Sequence, residues 1–91
     1  MTIKFIVHGR VQGVGYRYYA KRSAEQLDVK GSVRNNPDGT VTVIAQGAEG
    51  QLALYEAYLF KGPSYSEIEK IDKTLQEETI KLSYSDFSVI F

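Results

Sequence analysis

The sequence contains no cysteine, so neither disulfides nor thiolate chemistry is available to it. It has a single histidine, His8, and a phosphohistidine route would rest wholly on that one ring. One imidazole and scattered carboxylates make a poor set of metal ligands. No apolar run approaches the ~20 residues that cross a bilayer. The opening stretch Met1-Thr2-Ile3-Lys4-Phe5 lacks the n-region and apolar segment of a signal peptide. There is no net charge either, with eleven bases against eleven acids. A broad basic face of the kind that grips a phosphate backbone is therefore not expected. Neither nucleic acid nor a membrane is an expected partner, and the cytoplasm is the expected compartment.

What is present suits one small soluble domain covering residues 1–91. The composition, 43% hydrophobic and 24% charged, is ordinary for a globular chain. The charge is unevenly spread. Residues 1–47 hold seven bases against three acids, and all four arginines (Arg10, Arg17, Arg22, Arg34) lie among them. Residues 48–91 hold four lysines against eight acids. Such a dipolar molecule can draw a small anion to one side.

Along the chain, Ile3–His8 reads as a short strand, apolar on both sides through Ile6. Gly9–Gly15 has three glycines in seven residues and reads as a loop. From Tyr16 to about Leu27 the pattern is helical, with Ala20, Ala24 and Leu27 forming the apolar stripe. Ser32–Asn36 and Thr40–Gln46 flank the turn Asn36-Pro37-Asp38-Gly39 as a β-hairpin. A second helix runs from about Glu49 to Phe60, with Leu52, Tyr55 and Leu59 on one face, and Gly62-Pro63 stops it. Over Ser66–Leu75 the three-residue spacing of Ile68 and Ile71 suits a helix. The preceding breaker and the topology favour an edge strand, which is the assignment made. Glu77-Glu78 reads as a solvated loop pair, and Phe87–Phe91 as a last short strand. The order βαββαβ, plus a short terminal strand, predicts an α+β fold: the ferredoxin-like split βαβ sandwich, an antiparallel sheet with two helices on one face. That fold hosts enzymes, sensors and RNA binders alike.

The segment Gly9-Arg10-Val11-Gln12-Gly13-Val14-Gly15-Tyr16-Arg17 is where chemistry is expected. A glycine-rich loop opening a helix can turn backbone N–H groups inward as an anion cradle. Arg17, in the first helical turn, can fold over it and hold two phosphate oxygens with its planar guanidinium. A tight connection with a surface arginine is the plain alternative. The loop is neither a Walker-type phosphate loop nor a dinucleotide fingerprint. In a split βαβ unit the first two strands are parallel and end at one sheet edge, which places Asn35 beside the loop. Its amide can hold a water, or it can, with Asn36, only shape the turn. His8 reads as a strand-end residue near the site. With thiol, histidine and metal routes set aside, direct attack by water on a bound phosphoryl group remains. Such sparse equipment suits a good leaving group, and a carboxylate is one.

Gly9 to Arg17, followed by Gly31-Ser-Val-Arg-Asn35-Asn-Pro-Asp-Gly-Thr-Val41, closely resembles the two signatures of the acylphosphatase family. The resemblance extends over nearly the whole chain, including the Gly62-Pro63 stop. It implies a hydrolase that splits the carboxyl–phosphate bond of acyl phosphates without metal or cofactor. Arg17 would be its phosphate-binding arginine and Asn35 would position the nucleophilic water. Backbone amides of Val11, Gln12, Gly13, Val14, Gly15 and Tyr16 would bind the remaining oxygens. It further implies that no covalent phosphoenzyme forms and that the substrate phosphate accepts the water's proton. Inorganic phosphate would be product and competitive inhibitor, and the protein a monomer. One departure is Ser32, where many members carry an aromatic residue; it bears on packing beside Asn35 and on neither catalytic role.

Two rivals are distinguishable. A non-catalytic ferredoxin-like phosphate sensor would need the cradle but no water-positioning Asn35. An RNA-binding sheet would want exposed aromatics on its central strands and a basic face.

Overall fold

Among the described residues, seven elements form in chain order: strand β1 (Thr2–Arg10), helix α1 (Tyr16–Gln26), strands β2 (Lys30–Asn35) and β3 (Val41–Gln46), helix α2 (Glu49–Lys61), and strands β4 (Glu67–Gln76) and β5 (Phe87–Ile90). The computed structural model describes residues 1–76 and 84–91; the Glu77-Glu78 pair lies outside the described residues. Across the sheet the strands run β4-β1-β3-β2-β5. Both β1 and β2 pair antiparallel with β3, so they are parallel to each other and end at one edge, as the split βαβ topology requires. The one departure from the expected antiparallel sheet is β5, which pairs parallel with β2, Arg34 opposite Ile90.

One face of the sheet is dry. Alternation puts Phe5 and Val7 of β1, Val33 of β2 and Val41, Val43 and Ala45 of β3 into a single core. Ala20 and Ala24 of α1 and Leu52, Tyr55 and Leu59 of α2 close over it, the last three all essentially inaccessible to solvent. Two reciprocal hydrogen bonds lock the helices together. The Tyr16 hydroxyl donates to the Leu59 carbonyl at 2.7 Å, and that of Tyr55 to the Ala20 carbonyl at 2.9 Å. Each satisfies a phenol that would otherwise be buried unpaired, worth about 1 kcal/mol net and more if broken on one side.

The end of β1 runs two residues beyond the sequence reading, and its pairing with β4 is irregular there. Gly9 and Arg10, read as loop, continue β1 and pair with Ile68 and Glu67 of β4. The register shifts between His8 and Gly9, because His8 faces Lys70 while Gly9 faces Ile68, leaving Glu69 as an extra residue in β4. This bulge turns the strand by one position. Ile68 and Ile71 therefore both pack against the core, although a regular strand would send residues three apart to opposite faces. The helical spacing that made this segment ambiguous is the signature of a bulged strand. A side chain at Gly9 would run into the Glu67 carbonyl, so the close approach needs glycine.

Candidate active site

At the sheet edge where β1 and β2 end, the chain leaves β1 through Val11–Gly15 and enters α1. Gly13 and Gly15 adopt left-handed conformations, φ 76° and 80°, which other residues rarely take. Gly15 is also the N-cap of α1 and offers no side-chain cap, and the first turn holds no acidic residue. The first N–H groups of the helix, with their partial positive charge, are thus left to an external acceptor. Such a helix start can hold an anion through main chain alone.

A cavity of about 170 Å³ lies over this helix start, lined by Val11, Gly13, Gly15, Arg17, Asn35 and Phe91 among others. Arg17 and Asn35, eighteen residues beyond it, therefore share one cavity with the loop. Among the described residues, no aspartate, glutamate, histidine or lysine lines it.

Arg17 is half-buried and held from the far side. Its Nη1 donates to the Ile90 carbonyl at 3.3 Å, and its guanidinium carbon stands 4.7 Å from the centre of the Phe91 ring. None of the ion pairs among the described residues uses it. The arrangement fixes one edge and one face of the guanidinium and leaves the rest of its fork of donors for a ligand.

Asn35 sits at the last position of β2, on the same face as the buried Val33. Its Oδ1 is completely buried, yet no protein group donates to it. A buried carbonyl left unpaired costs about 1–3 kcal/mol, so the position is not one that packing alone would choose. Asn35 lines the cavity beside the arginine and the helix start, so its side-chain amide belongs to the wall of that site.

Its neighbour Asn36 does something different. Asn36 Nδ2 donates to the hydroxyls of Thr40 at 3.0 Å and Thr42 at 2.7 Å, and its backbone N–H to the Thr40 carbonyl at 2.8 Å. Asp38 Oδ1 accepts from both the hydroxyl and the amide of Thr40, and these bonds hold its carboxyl below the usual range. Asn36 and Asp38 build the turn, and Asn35 is not needed for it.

Of the remaining loop residues, Gln12 and Val14 do not line the cavity. Val14 packs against the core. Gln12 reaches the hairpin instead, with Nε2 donating to the carbonyls of Asn36 at 2.8 Å and Thr40 at 2.9 Å. Anything these two supply to the cavity comes from their backbone. Gln12 ties the loop to the turn that follows Asn35, and so sets the spacing between them. Gln12→Ala is expected to lower stability by about 1–2 kcal/mol through loss of both bonds. Urea denaturation would show this as a lower midpoint at unchanged slope.

Three further placements follow. His8 turns to the opposite sheet face, where its Nε2 lies 2.8 Å from Asp72 Oδ2, and it does not line the cavity. Ser32, one residue out of phase with Val33, faces the side of the sheet away from Asn35, near Lys4, Arg34 and Thr42. Tyr16 lines the cavity, but its hydroxyl is spent on Leu59 and burial pushes its pKa up, so it offers no proton there.

The contribution of β5 escaped sequence reasoning. Val89 and Phe91 line the cavity, and the Ile90 carbonyl orients Arg17. Only the parallel pairing of β5 with β2 brings these residues to the Asn35 edge. The Phe87–Phe91 apolar pattern announced a strand but not its neighbour.

Comparison with known proteins agrees with this geometry. The family model described as Acylphosphatase matches residues 3–89. An acylphosphatase of Pasteurella multocida is 44% identical over 86 residues, covering 94% of this chain and 93% of that one. The crystal structure of acylphosphatase from Bacillus subtilis superposes with a TM-score of 0.87 at 30% identity, covering 99% of this chain and 98% of the other. That of an acylphosphatase from Coxiella burnetii gives 0.86, also at 30% identity, with 98% and 90% covered. With two glycine-shaped turns, an arginine and an asparagine gathered at one sheet edge, and with this match over nearly its whole length, the chain belongs to the acylphosphatase family.

Proposed function

We infer that the protein hydrolyses acyl phosphates to a carboxylate and inorganic phosphate by direct attack of water on phosphorus. The observation that carries this reading is that Asn35, whose Oδ1 has no protein partner, lines the same cavity as Arg17 and the open N-terminus of α1. In this reading the phosphate sits on the loop and helix amides, with the Arg17 fork on two of its oxygens. Asn35 accepts a hydrogen bond from a water and holds it opposite the acyl oxygen, in line for displacement. As the water oxygen bonds to phosphorus, the bond to the acyl oxygen breaks and the electron pair leaves with the carboxylate. The water's proton passes to a phosphate oxygen. Amides and guanidinium stabilise the charge spread over the equatorial oxygens, where preorganised donors act most strongly.

A sensor without turnover would also use the cradle and Arg17, but it has no need to bury an unpaired carbonyl beside them. Among the described residues no carboxyl group or imidazole lines the cavity, and a carboxylate leaves without a general acid. The reading carries no metal or cofactor, and inorganic phosphate acts as a competitive inhibitor. The cysteine-free composition suits the cytoplasm.

The test is turnover of acetyl or benzoyl phosphate in the presence of EDTA. Rapid, chelator-resistant hydrolysis is expected, with simple alkyl phosphate esters left intact. Comparable turnover of an alkyl phosphate would mean that an acid is at work. Loss of activity on chelation, restored by added metal, would place a cation in the mechanism.

A further inference from the structure

Beside the phosphate cavity lies a second depression, a groove of about 550 Å³ between α1 and the end of α2. The two share Gly15 and Tyr18. At Gly15 even a Cβ would meet nothing within 4 Å, so the space beside this shared residue is open. From there the groove follows one face of α1, through Tyr18, Tyr19, Arg22 and Gln26, while Tyr58 and Lys61 of α2 form the other wall. These α1 positions recur at helical spacing, apart from the Tyr16, Ala20 and Ala24 stripe that enters the core.

Its walls have a definite chemistry. Tyr18 and Tyr58 keep 68% and 37% of their surface in solvent, so their rings are available to a planar group. The floor is fixed: the Tyr19 hydroxyl donates to the Tyr58 carbonyl at 2.7 Å, and the Tyr19 ring rests 6.1 Å from that of Tyr16. Arg22 and Lys61 bring two positive charges; among the described residues no carboxylate lines the groove, and neither cation belongs to an ion pair. Arg22 stands one helical turn beyond Tyr18, ~6 Å further from the cradle along the helix axis. A groove that starts at the phosphate cavity, passes between aromatic walls and meets unpaired cations one turn later is complementary to a flat group with a negative far end.

We propose that this groove is the subsite for the acyl portion of the substrate, and that it selects planar acyl phosphates carrying a second anionic group remote from the phosphate. The proposal rests on the reading of the cradle as the phosphate site of an acyl phosphatase. It adds a determinant of specificity, since Arg22 and Lys61 act only when the acyl group reaches them. A para-carboxylated benzoyl group is about one helical turn long and spans the distance.

The experiment compares kcat/KM for 4-carboxybenzoyl phosphate and benzoyl phosphate, at fixed ionic strength, in three proteins. These are the wild type, the double variant Arg22→Ala/Lys61→Ala, and Lys21→Ala/Lys30→Ala, which removes the same charge outside the groove. The wild type is expected to favour the carboxylated substrate by about tenfold, the size of one modest charge-assisted contact. The ratio should fall towards one in the groove variant and persist in the control. Arg22→Glu should invert it. A wild-type ratio near one, or a ratio that survives loss of both groove cations, would overturn the proposal. An equal fall in the control would overturn it too, because general attraction of a dianion would then suffice. So would a rise in the phosphate inhibition constant in the groove variant, which would show its cations acting on the cradle. The two readings fail differently. Hydrolysis of both substrates without discrimination removes the groove and leaves the cradle standing; hydrolysis of neither removes the cradle, and the groove's role with it.

Discussion

Arg17→Lys is expected to lose nearly as much activity as Arg17→Ala, about 10²–10³-fold in kcat/KM for benzoyl phosphate, with the two variants within about tenfold of each other. Lysine keeps the charge, but a point charge on a flexible stem cannot hold two phosphate oxygens in one plane. It also cannot reproduce how the arginine is held. One edge of the guanidinium donates to the Ile90 carbonyl and one face lies on Phe91, so the remaining donors are aimed before substrate arrives. Preorganised donors are those that stabilise a transition state without reorganisation at the moment of reaction. Phosphate affinity should fall in both variants, since Arg17 is placed on the phosphate itself. Steady-state rates and phosphate inhibition constants for the pair decide the matter. A lysine variant with near-normal rate would mean that charge alone suffices and that the planar clamp is not used.

Asn35→Ala is expected to separate turnover from binding. If Asn35 holds the attacking water, loss of its amide should lower kcat by about 10²-fold or more, ~3 kcal/mol of positioning in the transition state. The inhibition constant for inorganic phosphate should change little, because Arg17, the loop and the helix start remain. Stability should not fall either. Asn36 and Asp38 carry the turn, and the buried Oδ1 has no protein partner to lose, so its removal relieves a cost instead of breaking a bond. Position 35 would then join the sites where stability is given up for function. The informative set is rate, phosphate inhibition and thermal midpoint of this one variant. Rate and phosphate affinity collapsing together would make Asn35 a binding residue. No change in either would leave it as part of the turn.

Much of this site was legible in the sequence, because its parts are local signals placed by one topological rule. Asn36-Pro37-Asp38-Gly39 between alternating runs dictates a hairpin, and Leu52, Tyr55 and Leu59 at helical spacing dictate a buried face. Once the order is βαββαβ, the ends of the first two strands must share an edge. Arg17 and Asn35 then converge although seventeen residues separate them. What escaped was whatever depends on a partner chosen in three dimensions. The bulge opposite Gly9 gave β4 a false helical spacing, since an extra residue changes the side-chain period only where strands pair. The side chain of Gln12, to which the sequence reading gave no role, satisfies two carbonyls of the hairpin turn, acceptors that no local pattern advertises. The role of β5 was hidden for the same reason. Its apolar alternation marks a strand, whereas the pairing with β2 that carries Ile90 to Arg17 is a property of the assembled sheet.

The central claim is that water attacks phosphorus while the carboxylate leaves. Hydrolysis of benzoyl phosphate by the wild-type protein in ¹⁸O-labelled water, with EDTA present, tests it most directly. One labelled oxygen is expected in the inorganic phosphate and none in the benzoate, because the bond broken is the one between phosphorus and the acyl oxygen. Label in the benzoate would mean attack at the carbonyl carbon, and absence of hydrolysis would leave a phosphate-binding domain without turnover. Either result would contradict the account.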